Sequence, residues 1–249
     1  MNEQTTNYSH LSTLPPGLDT APLTEAESAP IHGAGGVIEA LLRRPRGLFH
    51  GLSGDSQSRL TGLLVVTAVV CAVLYGVVTG TFSGGVQIYA APLKIAGGLV
   101  VSAALCLPSL YVFGCLAGAS ARLGEVAGIM AGFLALTLVL LFSFAPVAWV
   151  FSQSTQSVGA MGTIHVVFWL AAVGFGGRLL MRGMRISGAR SAFPFQAWIV
   201  LFVLVTLQLA TALRPIVGRA SEMFPHEKKF FLSHWVDSFS AAPAPAVGK

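Results

Sequence analysis

The stretch AGIMAGFLALTLVLLFSFAPVAWVF, residues 127–151, runs for 25 consecutive residues without Asp, Glu, Lys or Arg. A hydrocarbon core roughly 30 Å thick is crossed by about 20 residues of α-helix. Because lipid offers backbone amides no hydrogen-bond partners, a continuous apolar run predicts a helix rather than the alternating strands of a barrel. The stretch therefore predicts a transmembrane helix.

Four further uncharged, apolar runs accompany it, at 61–80, 95–118, 160–177 and 195–213. Of the 249 residues, 54% are hydrophobic and only 10% are charged, whereas soluble domains carry about 25% charged residues. Such a surplus of apolar side chains requires lipid as its solvent. The sequence therefore predicts an all-α, polytopic integral membrane protein, in which residues 61–213 form a bundle of five transmembrane helices in the lipid bilayer.

Two tails flank this domain. Residues 1–35 are rich in Thr, Ser, Pro and Glu and poor in bulky apolar residues, a composition typical of a disordered tail. In the tail 214–249, the stretch at about 225–239 spaces three aromatic residues four apart: Phe231, Trp235 and Phe239. This spacing places them on one face of a helix and predicts an amphipathic helix at the membrane surface.

A basic segment, residues 36–60, precedes the first apolar run. It places apolar side chains beside Arg43, Arg44 and Arg46, and Pro45 predicts a break in any helix here. One interpretation is that the segment lies on an anionic inner leaflet. The other is that its arginines serve only to fix the topology of the chain, and the sequence does not choose between them.

The distribution of basic residues predicts the orientation. If the spans alternate in direction, nine arginines share one side of the membrane: Arg43, Arg44, Arg46, Arg59, Arg122, Arg178, Arg182, Arg185 and Arg190. Positively charged loops stay in the cytoplasm. We therefore expect a multi-pass protein of the cell (inner) membrane with a cytoplasmic amino terminus and an extracytoplasmic carboxy terminus.

Glycines at four-residue spacing are candidate helix-packing positions, since small residues let transmembrane helices approach closely. They form three groups: Gly76 and Gly80; Gly114 and Gly118; and Gly124, Gly128 and Gly132. The last two groups flank one short turn. They predict a tight antiparallel hairpin of the second and third spans.

Two prolines and four polar residues are the other candidate functional positions. Pro108 and Pro146 each remove a helical hydrogen bond and predict kinks; Pro146 is interpreted as a structural kink rather than a gate. His165, together with Thr137, Ser143 and Gln208, has the polarity needed to line a small cavity. The alternative for His165 is a neutral side chain that bonds a neighbouring helix.

Two tryptophans lie near opposite ends of their spans. Trp149 is close to the end of the third run and Trp198 is close to the start of the fifth. Tryptophan is enriched at membrane interfaces. Both residues are therefore expected to anchor the protein at the interface.

Motifs of catalysis are not found in the sequence. It contains no His-Glu-x-x-His motif, no Gly-x-Ser-x-Gly elbow, no phosphate-binding loop and no paired carboxylates within the spans. The three cysteines, all within predicted spans, form no Cys-x-x-Cys pair. We therefore expect no catalytic residue, metal site, cofactor or nucleic-acid partner, and no enzymatic activity.

The stretch LLRRPRGLFHGL, residues 41–52, stands directly before the first of the five runs. This arrangement resembles the Yip family of five-span membrane proteins, whose bacterial members have a similar basic, aromatic and proline-containing lead-in. The resemblance extends over the layout of residues 41–213, implies a cytoplasmic amino-terminal region followed by five spans, and assigns no functional residue.

Two functional hypotheses follow from the sequence. The favoured one is a scaffold or accessory subunit that binds a membrane-protein partner, or further copies of itself, through helix-helix contacts. The alternative is a transporter or channel for an ion or small solute, with a polar cavity near Pro108, His165 and Gln208. A structure distinguishes them by the position of the polar side chains.

Overall fold

The computed structural model describes Thr24, Glu27 and residues 29–54, 56–83, 87–154 and 158–212. The expected disorder of the first residues and the amphipathic helix at about 225–239 lie outside this part of the chain. The described residues form seven helices: α1 Gly33–Arg43, α2 Pro45–Ser53, α3 Gln57–Ser83, α4 Gln87–Leu116, α5 Leu123–Ser154, α6 Val158–Ile186 and α7 Phe193–Ala212.

The five long helices, α3 to α7, confirm the all-α polytopic bundle. Each is long and apolar enough to cross a membrane. Helices α3, α5 and α6 extend beyond the apolar runs at both ends, whereas α4 begins before its run and ends at Leu116, two residues before the predicted end. The longest, α5, has 32 residues and a length of about 48 Å at 1.5 Å per residue, which exceeds the thickness of a hydrocarbon core of roughly 30 Å.

Helix α5 is the central element of the bundle. About 78% of its apolar window is buried, against 17% for α7. Helix α3 packs along both α5 and α4, α6 packs on α5, and α7 packs on α4. The core is therefore built by helices that are distant in sequence, and the central position of α5 explains why its run is the most continuously apolar.

The predicted tight hairpin of the second and third spans does not form. Helices α4 and α5 are joined by a short turn, but they contact each other only slightly, and α3 packs extensively against both. The glycine spacing correctly indicated close approaches. It did not identify which helix approaches, because a small residue admits any neighbour that fits.

Two turns at one end of the bundle have the same geometry. Gly118 after α4 and Gly188 after α6 have φ angles of 83° and 97°, a region that glycine enters without steric cost. In each turn the glycine and the following alanine donate backbone hydrogen bonds to the last turn of the helix, as in a Schellman motif. Both helices are thus ended by the same Gly-Ala pair.

The same two turns also bind each other. The Ser120 N–H donates to the Ser187 carbonyl (3.0 Å), and the Arg190 N–H donates to the Ala117 carbonyl (2.9 Å). Each donor is two residues after the glycine of its own turn. Each acceptor is the residue directly before the glycine of the other turn. The exchange is reciprocal, so an approximate two-fold axis relates the two turns.

This two-fold relation extends to the helices. The last residue of α4, the turn glycine and the first residue of α5 each have a counterpart 70 positions later in the chain. Leu116, Gly118 and Leu123 correspond to Ile186, Gly188 and Phe193. The packing of α4 on α7 corresponds to the packing of α6 on α5. Helices α4–α5 and α6–α7 are therefore two structural repeats, and α3 packs extensively only on the first.

The basic segment 36–60 packs against the protein. Helices α1 and α2 contact α3 and α5, and α2 also contacts α6. Pro45 is the first residue of α2, where its missing N–H costs nothing. The buried residues of the two helices are Val37, Ala40, Leu41, Leu48, Phe49 and Leu52. Their apolar side chains therefore pack against the bundle. The two interpretations of the sequence included only contact with the inner leaflet or a role of the arginines in topology, and did not predict this packing.

An ion pair joins the residues before α1 to α2. An Oε atom of Glu27 lies 3.4 Å from an Nη atom of Arg46. The pKa of Glu27 is lowered chiefly because the backbone N–H of Thr24 donates to its carboxylate, with Arg46 as a further cause. The basic segment is therefore tied both to the bundle and to the chain that precedes it.

Candidate helix-interaction site

The candidate glycines make contacts with four different helices. Gly76 of α3 lies against the backbone of Pro92 in α4, so closely that a methyl group would overlap it. On α5, a Cβ at Gly128 would lie 2.7 Å from the Leu52 side chain of α2 and 3.1 Å from the Thr61 hydroxyl of α3. The glycine row of α5 therefore receives α2 and α3.

The remaining candidate glycines lie at contacts within the chain, at a helix end or in the interior. A Cβ at Gly124 would meet the side chain of Gln57, and one at Gly132 would lie 3.9 Å from Leu48. Gly114 faces the methyl group of Met184 in α6, Gly118 ends α4 in the left-handed conformation, and Gly80 is buried. The candidate glycines thus serve the internal packing of this chain.

Several close approaches were missed by the sequence, two of them on one face of α6. A Cβ at Gly176 would overlap Thr137 and Phe133 of α5, and one at Gly183 would overlap the Phe49 ring of α2. Gly176 and Gly183 belong to no glycine pair at four-residue spacing, and Gly183 follows the predicted run. The two glycines are seven residues apart, which places them two turns apart on one face of α6. This spacing was the sequence feature that could have indicated a packed face.

The predicted proline positions lie on exposed faces of continuous helices. Pro108 is inside α4 and Pro146 is inside α5. The Ser143 hydroxyl, three residues before Pro146, donates to the Val139 carbonyl at 2.9 Å. Helix α4 contains a further proline, Pro92, at its close approach to Gly76.

The four candidate cavity residues lie in different surroundings. His165 Nδ1 is 2.5 Å from the Tyr75 hydroxyl, which joins α6 to α3. Thr137 is buried and donates to the Phe133 carbonyl of its own helix at 2.8 Å. Gln208 is exposed, as is Ser143. Within the described ranges, no hydrogen bond joins any two of the four.

One cavity of about 30 Å³ lies between α3, α4 and α5. Its lining is apolar: Val65, Ala68, Val69, Ala72, Ala96, Leu99, Val100, Ala131, Leu134 and Leu138. Its volume suits about one water molecule, but an apolar cavity offers that water no partners and stays dry. It marks the groove between α4 and α5 that α3 fills.

Trp198 is a packing residue, and its expected position in an interfacial belt is wrong. Its side chain is completely buried, whereas Trp149 is 50% exposed. The indole Nε1–H donates to the Cys106 carbonyl and the Ser109 hydroxyl of α4, both at 3.1 Å. The ring also packs against Phe133 and Phe202. Trp198 therefore fixes α7 to α4 and α5.

The second repeat presents a counterpart of the groove that α3 fills. Four residues define it, each 70 positions after a residue lining the apolar cavity: Leu170, Leu201, Leu204 and Gln208 correspond to Val100, Ala131, Leu134 and Leu138. Leu201, Leu204 and Gln208 are exposed, whereas Ala131 and Leu138 are buried and Leu134 is half-buried. The α6 side does not differ in this way, since Leu170 is 45% exposed and its counterpart Val100 is 51% exposed. We call this surface between α6 and α7 the open groove.

The described part of the chain contains no candidate metal site. Among those residues, no group of three or more His, Cys, Asp or Glu side chains is placed to hold a metal ion. His165 has only Tyr75 as a hydrogen-bonding neighbour, and its buried Nε2 has no partner among the described residues.

Comparisons with models of protein families, with curated proteins and with solved structures found no match to this chain. The resemblance to the Yip family stays a prediction from the layout of the sequence. A proposal for the function therefore depends on the contacts and exposed surfaces of the chain itself.

Proposed function

We propose that the protein is a non-enzymatic scaffold or accessory subunit of the membrane, which binds a membrane protein laterally through the open groove. The observation that carries this proposal is the difference between the two repeats. In the first repeat, the groove between the two helices is filled by α3. In the second, the α7 residues that correspond to the α5 side of this groove, Leu201, Leu204 and Gln208, are exposed.

The filled groove indicates what kind of partner fits the open one. Helix α3 presents Ala68, Ala72 and Gly76 at four-residue spacing, and a cavity-lining valine, Val65, precedes them. Apolar burial gives no driving force between helices in lipid, so close packing and polar contacts must stabilise the pair. The expected partner therefore presents one transmembrane helix that fits the groove closely and offers a polar contact.

The distribution of polar side chains favours this role over conduction. A transport pathway needs ionisable or polar groups that converge on one water-filled space. Here His165 bonds Tyr75, Thr137 bonds its own helix, and Gln208 faces outward. Each group serves packing or faces the surroundings of the bundle.

We also propose that the end of the bundle carrying the two paired turns faces the cytoplasm, in the cell (inner) membrane. The turns bring Arg122 and Arg190 to one end, and α2 packs near the same end, where Leu52 lies against Gly128. Basic residues are retained on the cytoplasmic side. A reporter that functions only outside the cytoplasm, fused after Lys249, should be active; activity of a cytoplasmic reporter at that position contradicts the orientation.

Copurification from native membrane tests the scaffold function. The protein is extracted with its surrounding lipid in polymer nanodiscs after cross-linking, and associated proteins are identified. We expect a retained membrane protein, or a second copy, whose recovery falls with Leu204→Trp because the indole obstructs the open groove. Leu105→Trp is the matched control, since Leu105 is 65% exposed on α4, outside the groove. An unassociated monomer in every preparation contradicts the proposal.

A further inference from the structure

We propose that the occupant of the open groove is a second copy of this chain, in a parallel two-fold dimer that pairs the two Gln208 amides. The inference rests on the proposed function and deepens it by naming the partner. It depends on three features of α7: the spacing of its exposed residues, the depth of Gln208 in the membrane, and the self-complementary chemistry of an amide.

Four of the exposed residues of α7 have the spacing of a coiled-coil seam. Ala197, Leu201, Leu204 and Gln208 are separated by four, three and four residues. Phe193, Gln196 and Val200 are the other exposed residues among those described in this helix. This alternation of three and four keeps one face of a helix toward a parallel partner over successive turns. In that geometry Leu201 and Gln208 occupy equivalent positions, at which each residue meets its own copy.

The extent of α7 places Gln208 inside the membrane. The apolar span of this helix is Phe193–Ala210, and Gln208 is the third residue from the end that lies away from the paired turns. Its exposed amide therefore lies within the membrane-spanning part of α7, where lipid tails offer no hydrogen bond.

An amide in this position needs a polar partner. The carboxamide offers two N–H donors and a carbonyl acceptor, and among the described residues it makes no hydrogen bond to the rest of the chain. Side chains of this kind hydrogen-bond across transmembrane helices and stabilise their association. Gln208 is thus the residue that distinguishes a protein-binding groove from an apolar face covered by lipid.

A second copy satisfies the amide with no further assumption. Copies inserted in the same orientation are parallel, and a two-fold axis along the membrane normal places one Gln208 opposite the other. Each amide then donates to and accepts from its partner. The remaining tail, residues 213–249, has no uncharged stretch approaching the length of a span of about 20 residues, so its sequence does not predict a sixth span.

Disulfide cross-linking in native membranes tests the dimer. The full chain carries Cys115→Ala to remove the exposed thiol, while Cys71 and Cys106 remain because they are buried. Leu204→Cys is then added, with Leu105→Cys on α4 as the matched control. We expect covalent dimers with Leu204→Cys after mild oxidation, and none with Leu105→Cys or with the Cys115→Ala background alone.

The amide is tested in the same membranes. Gln208→Leu should weaken dimerisation by about 3- to 30-fold, the range that interhelical hydrogen bonds in membranes provide, whereas Gln208→Asn should retain it. Both variants leave the internal core unchanged, since Gln208 is exposed. Equal dimerisation of the wild type and Gln208→Leu overturns the pairing of the amides.

Other occupants give different products. A cross-link from Leu204→Cys to another protein overturns the second copy while the scaffold function stands. Dimers that appear only after removal of residues 213–249 identify the tail as the occupant and also overturn the proposal. Absence of any cross-linked or copurified partner contradicts the proposed function itself, so failure of the inference and failure of the function are distinguishable.

Discussion

Trp198→Ala is expected to lower the free energy of unfolding by about 3 kcal/mol or more, the lower part of the range for truncation of a large buried aromatic residue. The tryptophan is completely buried between α4, α5 and α7. In a membrane protein the lost stability comes mainly from the cavity and the lost contacts, because lipid solvates an apolar side chain nearly as well as the interior does. The expected change is therefore large, but below the upper end of that range.

Two further variants separate the contributions. Trp198→Phe retains most of the ring volume but removes the Nε1–H that donates to Cys106 and Ser109; we expect a loss of about 1 kcal/mol. Trp149→Ala is the matched control, since Trp149 is half exposed, and it should cost clearly less than Trp198→Ala. Reversible unfolding in mixed micelles with increasing SDS measures all three, and similar losses for Trp149→Ala and Trp198→Ala contradict the packing role.

Gly76→Ala is expected to destabilise the protein by about 1–3 kcal/mol, the usual cost of overpacking. The added methyl group would overlap the Cα and N atoms of Pro92. Backbone atoms inside a helix do not move independently, so α3 and α4 must separate. The separation would also loosen the groove that α3 fills, which makes this small substitution costly.

Gly62→Ala is the control on the same helix. Gly62 is exposed, and a Cβ there meets no atom within 4 Å. Alanine is favoured over glycine in helices by up to about 1 kcal/mol, so this variant should be neutral or stabilised. The two identical substitutions are therefore expected to change stability in opposite directions.

Thermal exposure of the buried cysteines measures both glycine variants. In a Cys115→Ala background, a thiol-reactive fluorophore reports the unfolding that exposes Cys71 and Cys106. We expect a lower transition temperature for Gly76→Ala and an unchanged or higher one for Gly62→Ala. A Gly76→Ala protein as stable as the wild type would show that α3 and α4 do not approach at this residue.

The glycine and tryptophan positions show where sequence reasoning reached its limit. The spacing of Gly124, Gly128 and Gly132 indicated a packed face, but assigned it to the neighbouring span rather than to α2 and α3. Trp198 was placed at the interface because its run begins nearby, although its ring lies in the core. Both errors concern the partner of a residue, which a linear pattern does not contain.

The structural repeat was also missed, although its signal was present. Gly118-Ala119 and Gly188-Ala189 end two helices 70 residues apart, and the next helix begins at the same distance after each pair. Five spans do not divide into two equal halves, so the number of spans gives no sign of a repeat. Only the reciprocal hydrogen bonds between the turns reveal that α3 stands outside the repeats.

The sequence by itself determined the five spans and the all-α class, because hydropathy is a local property that adds along the chain and lipid permits little except helices. It did not determine which helices pack together. In water, an apolar stripe identifies the buried face of a helix, but these helices are apolar on nearly every side. The choice of neighbours therefore depends on the fit of individual side chains, such as Gly76 against Pro92 and Trp198 against α4, and that fit exists only in the tertiary structure.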